Sequence, residues 1–204
     1  MPGPERNVWT TVVAANPGHA RAYAQRWRDL EAAGRDIDGE ARLIDAMADR
    51  GSRILDAGCG TGRVGGYLAA RGHDVVGVDL DEHLISVARE DHPGSRWEVG
   101  DLATFTLHDA QGAPLAVDLV VSAGNVMTFL ADAERVPALA RIRAHLAPGG
   151  RAVIGFQTAR GYSAEEFAGD AERAGLAISQ RFASWQLAPW TDDTGFLVAV
   201  LVAG

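Results

Sequence analysis

The chain has almost no cysteine. Cys59 is the only one in 204 residues, so an internal disulfide is excluded and no cysteine-based zinc site can form. It also has no apolar run of membrane-spanning length, and no N-terminal stretch pairing basic residues with an apolar segment. No membrane partner is expected, and the cytoplasm is the expected location. Positive charge is scarce: 19 basic residues face 27 acidic ones, a formal net charge of −8. That balance repels polyanions at long range, and no lysine- or arginine-rich tract offsets it, so nucleic acid is not an expected partner. Repeats and low-complexity segments are absent as well.

What remains is an ordinary globular composition, 47% apolar and 23% charged. A chain of this length can bury roughly 70% of the surface its unfolded form exposes, so one core suffices. The division expected is an N-terminal helical cap over residues 1–50 and one α/β domain over 51–204. Residues 1 to about 17 lack periodicity and read as a loose lead-in. Helices are expected from Ala20 to about Leu30 and from Ile37 to Asp49, separated at Gly34.

Strand and helix then alternate. Strands are expected at Arg53–Asp56, Asp74–Asp79, Arg96–Val99, Val117–Ser122 and Arg151–Phe156. Helices are expected at Val64–Arg71, Asp81–Glu90 and from the fourth strand to Leu146, where Pro148–Gly149–Gly150 stops the chain. Ser163 and Glu166 form a capping box opening a helix to about Ala174. Ala177–Ser184 and Phe196–Val202 close the chain as two strands with no helix between them, hence antiparallel. Continuously apolar strands alternating with helices imply a mostly parallel sheet covered on both faces.

The segment ILDAGCGTGR, residues 54–63, leaves a strand and enters a helix. Gly58, Gly60 and Gly62 remove side chains where backbone must approach a ligand, and the helix start presents free amides to it. Asp79 ends the next strand, 21 residues after Gly58, where a carboxylate accepts both ribose hydroxyls of a nucleoside. The third position of a dinucleotide fingerprint is occupied by Arg63, and no Tyr-x-x-x-Lys pair exists. An NAD(P)-dependent oxidoreductase is therefore the second reading.

Residues 54–63 resemble motif I of the class I S-adenosylmethionine-dependent methyltransferases, and the similarity continues in order over about residues 40–204. DVVGVDLD resembles the family's acidic-loop motif, VGDL (99–102) its adenine-contacting motif, DLVVSAGNVMTFL (118–130) its fourth-strand motif, and LAPGGR (146–151) the turn before strand five. The resemblance implies a Rossmann-like, doubly wound, seven-stranded mixed sheet of order 3-2-1-4-5-7-6 with the last strand antiparallel. It implies S-adenosyl-L-methionine as cofactor, no metal, and a methyl acceptor. Asp56 and the backbone of Ala57, Gly58, Cys59 and Gly60, with Gly62 completing the turn, would lie along the cofactor. Asp79 would hold the ribose, Leu80 would pack on the adenine, Asp101 would accept from the adenine amino group, and Leu102 would lie on the ring edge. Carbonyls of Ser122 and Ala123 would face the ammonium group. In some small-molecule members an arginine before motif I meets the cofactor carboxylate, and Arg42 is the candidate.

Asn125 resembles a pocket-framing asparagine of glycine-methylating relatives, with a turn residue as the alternative. Ligands of open α/β sheets bind outside the carboxyl ends of the strands. This brings Trp190 to the pocket mouth, with Tyr23 and Trp27 closing it from the N-terminal helix; packing at core edges is the other role open to these rings. No histidine sits in a motif marking it as a base, His145 reading as a surface residue near a helix end and His108 being the hardest to dismiss. NPPY, which accompanies amino methylation of nucleobases and glutamine, is absent, and a small-molecule acceptor is favoured. A protein that binds the cofactor without turnover is the remaining alternative.

Overall fold

The computed structural model describes residues 5–204. Its seven strands form one sheet in the order β3-β2-β1-β4-β5-β7-β6. These are β1 (Arg53–Ala57), β2 (Asp74–Asp79), β3 (Arg96–Val99), β4 (Val117–Ser122), β5 (Leu146–Gln157), β6 (Leu176–Phe182) and β7 (Phe196–Ala203). The pairs among β1 to β5 are parallel, whereas β7 is antiparallel to both β5 and β6. Order and sense are those expected. Strands β1, β2 and β4 carry nearly unbroken runs of buried residues, as a sheet covered on both faces requires.

The helices are α1 (Val8–Ala15), α2 (His19–Ala32), α3 (Gly39–Met47), α4 (Arg63–Ala70), α5 (Glu82–Asp91), α6 (Val126–Phe129), α7 (Asp132–Ala144) and α8 (Ala164–Arg173). One core layer joins one sheet face to α7 and α8 through Leu139, Ile142, Phe167 and Tyr162. The other joins the opposite face to α3, α4 and α5 through Ile44, Leu68, Ile85 and Trp97. The Ser163 hydroxyl accepts from the Glu166 amide and the Glu166 carboxylate from that of Ser163, so the capping box is as expected.

Three sequence expectations differ from the structure. The lead-in contains α1, because Asn7 Oδ1 accepts from the Trp9 and Thr10 amides and the buried Trp9 anchors the turn; residues 1–4 of that lead-in lie outside those described. The helix after β4 is two helices, ends at Ala144, and is not stopped by Pro148–Gly149–Gly150. Those three residues lie within β5, where the register against β4 slips between Val117 and Leu119 and absorbs the extra length, with Gly149 at φ +79°. His145 is buried rather than superficial: Nε2 accepts from the Leu107 amide, Nδ1 donates to the Arg141 carbonyl, and the ring stacks on Phe105. It braces the β3–β4 connection.

Candidate active site

The glycine turn is built by backbone geometry. Gly58 and Cys59 amides donate to the Val78 carbonyl at 2.8 and 3.0 Å, tying the turn to β2. Gly58, Gly60 and Gly62 have φ of +80°, +54° and +76°, a region costly for other residues. The three differ in what surrounds them. A Cβ on Gly58 would meet Val126 at 2.5 Å and one on Gly62 would meet Trp97 at 2.9 Å, so both serve close packing. A Cβ on Gly60 would stand 3.8 Å from the Tyr23 ring with nothing nearer, leaving a bare surface beneath that ring.

Two carboxylates hold this turn from within. Asp79 Oδ2 accepts from the Gly60 amide and Oδ1 from the Asp81 amide, each at 2.9 Å. Asp56 Oδ2 accepts from the Gly65 amide at 2.9 Å at the start of α4. Burial raises the Asp79 pKa to about 6 and that of Asp56 to about 7, their backbone hydrogen bonds opposing the shift. Burial, reinforced by these neighbouring carboxylates, also pushes the Cys59 thiol up.

A cleft opens above the turn at the carboxyl ends of the strands. Of the residues singled out from sequence, Asp56, Gly58, Cys59, Gly60, Asp79, Leu80, Asp101, Leu102, Ala123, Tyr23 and Trp27 line it. Six others do not. Ala57 is fully buried in the sheet, and Gly62 is filled against Trp97 and Ala88. Ser122 is buried one residue short of the cleft, its hydroxyl without a partner. Asn125 sits at φ +68° with Oδ1 accepting from the Gln157 amide, which clips the β4–α6 turn to the end of β5. That is the turn alternative. Trp190 packs at the edge of the core layer on the α7–α8 side of the sheet, the core-edge alternative. Arg42 is exposed, forms a bidentate pair with Asp36 and is not part of the cleft lining.

The cation at the cleft is Arg63, which the sequence reading treated only as a departure from a fingerprint. It donates to the Ile37 carbonyl and to Glu40, and its guanidinium lies 4.4 Å from the Trp27 ring centre. Tyr23 and Trp27 belong to a wall of rings whose other members, Trp9 and Phe129, carried no sequence signal. Trp9 meets Tyr23 and Phe129 edge to face, with centroids 5.3 and 6.0 Å apart, and Tyr23 meets Trp27 at 6.2 Å. Trp9 Nε1 donates to Asp81 Oδ2 at 2.8 Å, and Asn7 Nδ2 donates to Glu134 Oε2 at 3.2 Å. The N-terminal segment thereby bridges the lip after β2 and the lip before α7. Trp and Asn at the chain start carry no motif, so only tertiary contact reveals them. His108 is exposed, and none of the histidines lines the cleft.

A doubly wound sheet with a glycine turn after β1 and a carboxylate ending β2 defines a nucleoside-cofactor-binding α/β protein. The comparisons narrow the class. Residues 54–150 match the model described as "Methyltransferase domain". A TehB-like SAM-dependent methyltransferase structure from Corynebacterium glutamicum is 54% identical and superposes with a TM-score of 0.87, covering 93% of this chain and 100% of that one. The chain belongs to the S-adenosylmethionine-dependent methyltransferases. Among curated proteins, a malonyl-[acyl-carrier protein] O-methyltransferase of Pectobacterium atrosepticum is 33% identical over 93 residues, 46% of this chain and 35% of that enzyme. A dTDP-3-amino-3,4,6-trideoxy-alpha-D-glucopyranose N,N-dimethyltransferase of Streptomyces venezuelae is 30% identical over 133 residues, 65% of this chain and 52% of that enzyme. The chain spans about a third or less of the length of the first curated relatives it matches.

Proposed function

We propose that the protein transfers a methyl group from S-adenosylmethionine to a small-molecule acceptor. The observation carrying this reading is the Asp79 carboxylate, placed in the cleft beside the bare Gly60 surface. The residues present suit the cofactor. Asp79 offers lone pairs to ribose hydroxyls, Leu80 and Leu102 offer apolar flanks to adenine with Asp101 beside them, and Gly60 leaves room for a thioether chain. Carboxylates and aromatic faces also favour a cationic group. When bound, the cofactor supplies an electrophilic methyl on a good leaving group. The chain's part is to orient and to exclude water: the glycine turn fixes one partner, and the ring wall of Trp9, Tyr23 and Phe129 shields the space opposite. Fixing both partners in line can contribute roughly 7–11 kcal/mol.

The cap role of residues 1–50 rests on the two ties made by Asn7 and Trp9. No helix among the described residues is long and apolar enough to cross a membrane, and a cytoplasmic enzyme without nucleic-acid partners is the reading this and the net charge support.

Titration calorimetry with S-adenosylmethionine and its demethylated product tests the site. Asp79→Ala should weaken binding about 10- to 100-fold, the worth of one or two hydrogen bonds to a charged group. Unchanged affinity, or quenching of NADH fluorescence in place of binding, would overturn the assignment. Cofactor binding without product release across a broad acceptor screen would favour a cofactor sensor instead.

A further inference from the structure

Resting on the cofactor site proposed above, we infer that Trp9 is a positioning residue for the adenosyl half of the cofactor. Its indole N–H holds the β2–α5 turn, and through that turn the orientation of Asp79 and Leu80. Three consecutive residues make the turn, and their tasks differ. Asp79 and Leu80 line the cleft. Asp81 lies outside that lining and caps α5, its Oδ1 accepting from the His83 and Leu84 amides at 2.9 and 3.1 Å. The Asp81 amide donates to Asp79 Oδ1 at 2.9 Å, and the Gly60 amide donates to Oδ2. One of the two bonds that orient the Asp79 carboxylate therefore comes from the residue that Trp9 holds.

The other Asp81 oxygen, Oδ2, accepts from Trp9 Nε1 at 2.8 Å, between residues 72 positions apart. The donor is fixed from several sides. Its ring meets His19, Tyr23 and Phe129 edge to face, with centroids 5.2, 5.3 and 6.0 Å apart. It also shares a buried cluster with Leu84 of α5, and Leu80 packs against that cluster. An indole set by three rings aims its N–H in one direction, and a hydrogen bond to a carboxylate is among the stronger kinds.

This strut differs from cover. Cover comes from apolar contact, such as that of Val13 of α1, which packs on the same cluster and does not line the cleft. Without the indole bond, Asp81 keeps only its cap on α5. The turn then samples more orientations, and ordering Asp79 and Leu80 opposes binding of the adenosyl group. The N-terminal helix thus acts on the ribose and adenine grip through Asp81.

The test titrates adenosine and the demethylated cofactor into the full chain at pH 8, where Asp79, with a pKa of about 6, is ionised. Adenosine is uncharged, so a change of charge at Asp81 does not act on it at long range. Trp9→Phe keeps a ring and removes the N–H. Asp81→Asn keeps a capping side chain and turns an amide N–H toward the indole. Each should weaken both ligands by the same factor, about three- to tenfold, the worth of one hydrogen bond. Both changes remove one bond, so the double variant should bind like the weaker single variant. Val13→Ala loosens α1 while sparing the bond, and should leave adenosine affinity unchanged. Additive losses in the double variant overturn the inference, as does a Val13→Ala loss equal to that of Trp9→Phe. So does a loss seen only with the demethylated cofactor, or an Asp81→Asn protein that binds adenosine normally. If the unaltered protein binds neither ligand, the cofactor site beneath the inference is what fails.

Discussion

Asp79 and Arg63 carry the residue-scale argument. Burial sets the Asp79 pKa near 6, and the ionised form is the one that accepts hydroxyl protons and attracts a cation. Cofactor affinity should therefore rise with pH through about 6, falling about tenfold by pH 5 where only a tenth of the group is ionised. Calorimetry at several pH values, with Asp79→Asn expected to flatten the profile, checks this. The two arginines make a contrasting pair. Arg42 is an exposed ion pair with Asp36, so Arg42→Ala should leave both cofactor affinity and the melting temperature essentially unchanged. Arg63 orders Trp27 and the α3 entry together, so Arg63→Ala should weaken cofactor binding several-fold. Equal effects from the two variants would mean the cleft does not depend on Arg63.

At the scale of elements, the N-terminal pair α1–α2 joins the cleft wall through a few side-chain ties. Trp9 is the buried residue of α1, and its indole N–H bonds Asp81, whose Oδ1 also accepts from His83 and Leu84 at the start of α5. Arg28 pairs with Asp91 at the far end of α5, so α2 is tied along the same helix. Trp9→Phe keeps a ring against Tyr23 and loses the hydrogen bond, a change of about 1 kcal/mol. Hydrogen exchange should then quicken in residues 8–15 while the β1 and β4 amides keep their protection. Uniform quickening across the sheet would show that α1 is not an independent flap.

For the whole molecule, Asp56 and Asp79 make unliganded stability depend on pH. Both carboxyls have folded pKa values above the ordinary 3.8, about 7 and about 6, so between these limits the native state binds more protons than the unfolded chain. Stability contributed by their neutral forms is present at low pH and lost as pH climbs through that window. The melting temperature without ligand should fall from about pH 5 to about pH 7.5, and Asp56→Asn should lessen the fall. The exposed Asp36, lowered to about 2 by Arg42, and Asp45, lowered chiefly by its hydrogen bond from His73, act oppositely and only at more acid pH. A flat profile between pH 5 and 7.5 would show that neither buried carboxyl is ionised at a cost.

The strands, the glycine turn and the strand-ending Asp79 were legible in the chain because each rests on local chemistry: apolar runs, residues tolerating positive φ, a carboxylate at a fixed spacing; the order of the strands in the sheet came only from the family resemblance. Packing across the chain decided the rest. Trp9 and Asn7 lie some seventy and more than a hundred residues from Asp81 and Glu134, their partners, and nothing in their neighbourhood announces those bonds. Arg42 and Arg63 both fit an arginine near the turn, and only the direction of α3 and α4 sent the first to Asp36 and the second to the cleft. Trp190 packs at the edge of the core layer beneath α7 and α8 and does not line the cleft. Local pattern determined where a cofactor can lie, whereas which side chains face it depended on helix directions that come from burying two core layers at once.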